Sequence, residues 1–417
     1  MSSIFEGFLS TPEVLELFTE RKIVEAMLRF EASLARAQAS VGLIPEAAAQ
    51  SIIGTCKVEL FDVTKIVRES VRAGSVAIPL VKSLTETVGL FNKDAARFVH
   101  FGTTSQDVLD TAMALVTRDA LDLIEADVQK TVAALLVLTD RHAADAVLAR
   151  TFMQPASVTS FGLKCAGWAA PLVRSLQRLQ LAAANALSVQ LGGAVGTLAQ
   201  MKKGNKQLGP EVMALMAADL KLRQAPFSWH TQRDEWVALG CEMALLAGSL
   251  GKVAKDISLM VQFEAGELAE PLEPGRGGAS VMPHKRNPVS CMVALAAAQR
   301  VPQRVAALLA AMPQEHERAL GNLQAELAEW PGLLMSVHGS ARAMSQALAG
   351  LQVDTQRMQA NINAVRSELP AEVADEWFNP RLAQHAATLA RSQLVLLTQA
   401  MAAIHKSGKA RRVLAAL

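Results

Sequence analysis

With 417 residues, 51% of them hydrophobic, 4% aromatic and none tyrosine, the chain has the length for two or three domains and a composition that favours alanine- and leucine-rich helices over an all-β design. A net charge of +2 offers no basic field to a nucleic acid or an anionic membrane, so recognition is expected to be local, at a site. Cys56, Cys165, Cys241 and Cys291 lie far apart without metal-ligand spacing, which reads as reduced thiols in a cytoplasmic protein.

The stretch from Met1 to Glu6 lacks a basic segment leading into an apolar signal core. Ser10-Thr11-Pro12-Glu13 opens the first clear helix, and an amphipathic run from about Glu20 stops near Gly42. Turn signals at Gly74 and Pro79 then separate short helical pieces, so a helical N-terminal domain is expected over 1–105. A bundle of long helices is expected over 106–345. Its first helix runs from Val108 to about Thr139 without internal glycine or proline, and its second covers Val158 to Val189 despite Pro171. The third carries Trp236, Leu239, Met243, Leu246, Leu250, Val253, Ile257 and Met260 at alternating spacings of three and four, a heptad seam. The fourth starts at Pro288, with a kink expected at Pro302. Charges interrupt the alanine-rich stretches before they could span a bilayer. Shorter helices with turn signals at Pro370 and Asn379-Pro380 suggest a small C-terminal domain over 346–417. Helices this long must bury apolar stripes against one another, which argues for an all-α, elongated bundle and for self-association.

Four stretches interrupt this pattern. In Val99 to Thr111, Thr104 and Ser105 stand at a helix start, where first-turn N–H groups can bind a carboxylate; an ordinary cap by Ser105 or Asp107 is the alternative. Gly192-Gly193-Ala194-Val195-Gly196-Thr197 looks like a nucleotide loop but follows a helix, so that reading fails its context. Lys202 to Lys206 reads as a solvated loop. The fourth stretch runs from Gly277 to Pro288: glycines and small residues make a loop, Lys285 supplies a cation, and Asn287-Pro288 reads as an N-cap and first-turn proline at a positive helix terminus.

This last stretch, Gly278-Ala279-Ser280-Val281-Met282-Pro283-His284-Lys285-Arg286-Asn287, resembles the fumarase/aspartase superfamily signature Gly-Ser-Ser-x-Met-Pro-x-Lys-x-Asn. Thr104-Ser105-Gln106-Asp107 is similar to the superfamily's Thr-Ser-x-Asp region, and Arg150-Thr151-Phe152-Met153-Gln154-Pro155-Ala156 to its Arg-Thr-His-x-Gln-Pro-Ala region. There are two departures: Ala279 stands where the family carries the serine assigned as base, and Phe152 where its lyases carry a histidine that helps protonate a departing nitrogen. A carboxylate leaves or attacks as a stable anion, so losing that acid favours carboxylate chemistry. Ala77 to Lys82, Trp229 to Asp234 and Met312 to Gly321 also resemble one branch, the bacterial 3-carboxy-cis,cis-muconate cycloisomerases.

The resemblance implies a fumarase/aspartase-type fold, with a central long-helix bundle and small helical domains at each end. It implies a homotetramer whose sites are built from the shared regions of three subunits, with no metal or organic cofactor. The implied substrate is a small polycarboxylate. Lys285 and Asn287 would stabilise an enolate-like intermediate, while Thr104, Ser105 and Gln154 hold carboxylates and Arg233 and Arg318 neutralise another. Ser280 is the surviving hydroxyl for proton transfer; His284, His230, His100 and His316 are alternatives. The rival readings are a fumarate-releasing carbon–nitrogen lyase of the same superfamily and a non-catalytic homologue.

Overall fold

The computed structural model describes residues 4–278, 281–282 and 285–414, with 407–414 as backbone only. A short α1 (Ile4–Gly7) leads into α2 (Pro12–Leu17) and α3 (Glu20–Ser40), which start where Thr11 and Thr19 accept the N–H groups of Val14 and Lys22. Next come α4 (Glu46–Thr55), α5 (Val63–Ala73) and α6 (Ala77–Phe91), with Gly74 closing α5 in the left-handed conformation. Against α3 lies the longest helix, α7 (Ser105–Arg141), followed by α8 (Phe161–Ala186), the small α9 (Gly209–Leu220), α10 (Asp234–Val261), α11 (Val289–Ala310) and α12 (Asn322–Ala349).

The heptad seam explains how these helices assemble. All eight seam residues of α10 are at most 4% exposed, and full burial of each such side chain contributes about 2 kcal/mol. Side-chain pairs fix the directions. Trp330 donates to Thr117 and His338 to Asp127, so α12 runs parallel to α7; Trp168 bonds Asp256 and Arg178 bonds Glu242, so α8 runs antiparallel to α10. At Gly251 a Cβ would lie 2.5 Å from the Ala298 methyl, so only glycine lets α10 and α11 approach this closely. By length and hydropathy alone α10 could cross a membrane, contrary to the sequence expectation, but its apolar seam is spent inside the bundle.

Other expectations are corrected. The second long helix begins at Phe161, capped by Ser160, because residues 146–160 form a hairpin, β1 (Ala146–Thr151) and β2 (Gln154–Ser160). Its pairing buries Val147, Leu148 and Val158. The fourth long helix, α11, starts at Val289, one residue after Pro288, and carries Pro302 in its interior. After α12 come α13 (Thr355–Ser367) and α14 (Ala371–Trp377), but the last helix, α15 (Leu382–Leu414), has 33 residues instead of being short. No glycine or proline interrupts it before Gly408; Ala387, Ala390, Leu397 and Met401 pack it onto the bundle beside α8, and Ala383 packs against the hairpin residues Leu148 and Val158.

Asp127, nearly fully buried on α7, ties α12 to this frame. Its carboxylate accepts from Arg342 Nε at 2.6 Å, Lys130 Nζ at 2.9 Å and His338 Nε2 at 3.2 Å, and His338 Nδ1 meets the Thr11 hydroxyl at 2.8 Å. Burial would raise this carboxyl, but the donated hydrogen bonds and the Arg342 charge outweigh it and hold Asp127 well below the usual carboxylate range. Its stabilisation is therefore complete above the unfolded value of about 3.9 and is lost progressively at lower pH. Asp127→Asn is expected to lower stability by about 2 kcal/mol at neutral pH in urea titrations, with the gap to the unsubstituted chain closing below about pH 4. A gap constant with pH would assign the effect to packing instead.

Candidate functional site

Two carboxylates organise the start of α7. Asp107 Oδ2 accepts the N–H groups of Thr104 at 3.1 Å and Gly193 at 2.9 Å, and Oδ1 accepts Gly192 N–H at 2.9 Å and His230 Nε2 at 2.7 Å. The glycine-rich loop therefore wraps a carboxylate of its own chain. Gly193 has φ +69°, and a Cβ on Gly192 would strike Ser228 and His230. One turn on, Asp110 accepts from Gln106, Gln190 and the Arg233 guanidinium.

That last contact changes the role expected for Arg233. Its guanidinium bridges Asp110 and Glu326, stacks 4.6 Å from the Trp229 ring centroid and is 1% exposed in its side chain. Burial disfavours its charge, but the two carboxylates outweigh this and hold it protonated; burial in turn lifts the Glu326 carboxyl above its usual range. No donor of Arg233 is left facing an open site, so it holds the scaffold together and does not meet a substrate.

Arg318 takes the other course. Its Nη1 donates to Thr104 Oγ1 at 2.5 Å and its Nη2 to Ser105 Oγ at 3.0 Å, with the guanidinium exposed. Three residues singled out in the sequence thus converge at the positive end of α7. Behind them, His100 lies 2.6 Å from the fully buried Glu31; burial opposes the imidazolium, but the Glu31 charge and hydrogen bond prevail and raise His100 above its ordinary value. His230 is committed to Asp107 and Ser228, and His316 is exposed in the segment before Arg318.

The remaining candidates sit at the other end of the bundle. Lys285 is exposed and makes no ion pair among the described residues, and the Asn287 N–H is held by Gly277 O at 2.8 Å. Ser280 and His284 lie outside the described residues. The helix terminus expected to bind a substrate carboxylate is already filled: Glu270 accepts the N–H groups of Ser290 at 3.1 Å and Cys291 at 2.9 Å, and the helix starts one residue later than expected, at Val289. Gln154 is exposed at the tip of the hairpin beside Phe152, which is 99% exposed with φ +50°, and Met153, with φ +67°.

Helix length sets the distance between the two groups. Arg233 joins the start of α10 to the first turns of α7, whereas Lys285 and Asn287 lie between the end of α10 and the start of α11. The 28 residues of α10 span roughly 42 Å. The hairpin follows the far end of α7, 37 residues long, and Arg150 at its base bonds Glu267 just beyond α10. One chain therefore cannot bring Thr104, Ser105 and Arg318 to the same small molecule as Lys285, Asn287 and Gln154. A cavity of about 500 Å³ beside Leu198, Met213 and Arg223, and one of about 330 Å³ beside Asp145, Thr355 and Arg381, include none of these residues. Among the described residues, no three His, Cys, Asp or Glu side chains are grouped as metal ligands. Sequence reasoning missed Asp107 and Asp110 as organisers, and Glu267 and Glu270 as anchors. The available signal was two acids three residues apart in an otherwise apolar stretch.

Residues 9–302 match a family described as Lyase. The chain is 42% identical over 371 residues to the 3-carboxy-cis,cis-muconate cycloisomerase of Pseudomonas putida, covering 89% of this chain and 87% of the relative. It is 39% identical to the nitrosuccinate lyase of Streptomyces davaonensis, covering 88% and 78%. The crystal structure of 3-carboxy-cis,cis-muconate lactonizing enzyme from Pseudomonas putida superposes with a TM-score of 0.86 at 35% identity, covering 96% of this chain and 100% of that one.

The two arginines separate by stability. Arg233→Gln leaves Asp110 and Glu326 buried without their cation and is expected to cost about 3 kcal/mol in urea unfolding. Arg318→Gln is expected to change stability by less than about 0.5 kcal/mol. Equal losses would show that Arg318 too is part of the scaffold.

Proposed function

The chain belongs to this lyase family, of fumarase/aspartase type, and from that membership we propose that it closes 3-carboxy-cis,cis-muconate to 4-carboxymuconolactone, in the cytoplasmic breakdown of aromatic compounds. The observation that carries the reading is Phe152 at the hairpin tip, where an apolar side chain replaces an acid. In this reaction a substrate carboxylate oxygen bonds to a carbon of the conjugated diene, and a proton reaches the carbon next to another carboxylate. One carboxylate becomes an ester and one proton is consumed. No leaving group departs as a base, so no acid is needed to protonate it.

Negative charge builds on the carboxylate beside the protonated carbon, and in this reading Lys285 and Asn287 stabilise it. Thr104, Ser105 and Arg318 bind a second carboxylate at the α7 terminus, and Gln154 binds the third group from the hairpin. Ser280, or His284 beside it, carries the proton. The reading requires a homotetramer in which these groups come from different copies, and the roughly 42 Å between them along α10 supports it. The partners are a small polycarboxylate and other copies of the chain; no nucleic acid, membrane or cofactor enters.

The nitrosuccinate lyase relative favours one other reading. Elimination of an anion such as nitrite passes through the same kind of carboxylate-stabilised carbanion and also needs no acid. Ultraviolet time courses with each substrate distinguish them. Loss of diene absorbance with the lactone seen by NMR supports cyclisation, whereas fumarate release from nitrosuccinate alone would replace it.

Lys285→Ala is expected to lower kcat about a thousandfold with an unchanged unfolding midpoint. Thr104→Val is expected to be similarly impaired. If the residues come from different copies, dissociating and reassembling the two variants together restores about a quarter of full activity, since each site needs an intact contributor twice over. No recovery would place both residues in one chain's site.

A further inference from the structure

Glu267 is a fully buried carboxylate in the turn that follows α10. Its Oε1 accepts from Arg150 Nη2 at 3.0 Å and Asn361 Nδ2 at 2.8 Å, and its Oε2 from Arg150 Nη1 at 3.2 Å. A buried carboxylate is tolerated only when charge-paired and hydrogen-bonded, and here the donors come from two other elements, β1 and α13. Asn361 also donates to Ala265 O at 2.8 Å, and Arg357 to Ala265 O and Glu264 O at 3.1 Å each. The main chain is fixed as well: Glu267 N–H bonds Met260 O at 2.9 Å, and its carbonyl accepts Asp354 N–H at 3.0 Å.

Both site segments at this end hang from that knot. Arg150 faces Pro155 across the hairpin, next to the Thr151–Gln154 pair, so the direction of the tip follows the Arg150 guanidinium. Three residues beyond Glu267, Glu270 caps the first turn of α11, directly after the segment that carries Lys285 and Asn287. The strands Leu268–Ala269 and Gln352–Val353 pair between these points and bring the C-terminal helices into the same junction.

We propose that Glu267 is a positioning residue for the reaction, fixing the Gln154 hairpin relative to the Lys285 segment, and that the C-terminal helices contribute to turnover through Asn361. The inference rests on the reading that Gln154 holds substrate and extends it to what aims that side chain. It also gives the helices after α12 a catalytic purpose beyond covering α8. Glu267→Gln keeps the shape but turns an amide donor toward a guanidinium, breaking the forked pair.

The test is a double-mutant cycle on the full-length assembled protein, using whichever of the two substrates above it turns over. Gln154→Ala is expected to lower kcat/KM about a hundredfold and Glu267→Gln about thirtyfold, with the double variant no worse than Gln154→Ala alone. A merely structural Glu267 would give multiplied losses, which overturns the proposal while leaving Gln154 in the site. Full activity of Gln154→Ala would overturn both the reading of Gln154 and this inference. Asn361→Ala, a milder change, is expected to cost about fivefold in the otherwise unchanged chain and nothing in the Gln154→Ala background. A fivefold loss in both backgrounds overturns the proposal even if Glu267→Gln does not assemble.

Discussion

The start of α7 is governed by the burial of two carboxylates three residues apart. Asp107 and Asp110 share one face of the helix and are at most 1% exposed, so each must replace its hydration with donors from the protein. The donors are scattered along the chain: the N–H groups of Gly192 and Gly193, the His230 ring, the Gln190 amide and the Arg233 guanidinium. Satisfying these two acids therefore forces the glycine loop, the Trp229 to Arg233 segment and α12 to meet at one place. Thr104 gains a fixed backbone from the same network, while its hydroxyl and that of Ser105 remain turned to Arg318. The scaffold uses one arginine fully and leaves the other exposed. That division leaves an accessible cation beside a rigid helix terminus, the arrangement that the proposed anion site needs.

Rigidity over such lengths has a geometric consequence. Helices of 26 to 37 residues bury their seams cooperatively but place their ends far apart, and the chemistry-bearing loops lie at those ends. Apolar side chains are exposed there as well: Phe152, Phe263 and Leu320 are each at least 89% exposed. Surfaces of that kind are stabilised by contact with other copies, and the same contacts can join what one chain keeps apart. In the proposed assembly, the lengths that separate the two groups of residues within a chain are the lengths that neighbouring copies must bridge to bring them back together.

What the sequence revealed follows from how local each signal is. The α10 seam was legible because its period repeats over many turns, and all eight residues named from it are buried. The helix starts at Thr11 and Thr19 are likewise local events. The hairpin was not legible as strands: Ala146 to Ser160 carries a motif that draws attention to its chemistry, while its pairing depends on register across a two-residue turn. Among the candidate residues, the sequence groups Arg318 with Arg233, whereas the structure brings Arg318 to Thr104 and Ser105 and buries Arg233 in the scaffold. A sequence displays the charge and hides the partners, which here lie 123 and 93 residues away. The α11 terminus failed for the same reason, since its anion comes from Glu270, about twenty positions upstream.

The hairpin tip shows how the departures from the family pattern fit one another. Phe152 and Met153 occupy the central positions of a two-residue turn with φ of +50° and +67°, a geometry that Asn-Gly reaches with less strain. Left-handed backbone at non-glycine residues costs roughly 1 kcal/mol each, and Phe152 recovers nothing by burial in its own chain. Such strain persists where the surroundings over-determine it, and the Arg150–Glu267 pair at the base of the hairpin does so. In the proposed assembly this tip enters a site formed with other copies. A histidine there would protonate a leaving group that lactone closure does not have, whereas a phenyl ring excludes water. Charges act more strongly when water is excluded, so in that assembly the phenyl ring would also strengthen the hold proposed for Lys285 on the negative charge developing in the transition state.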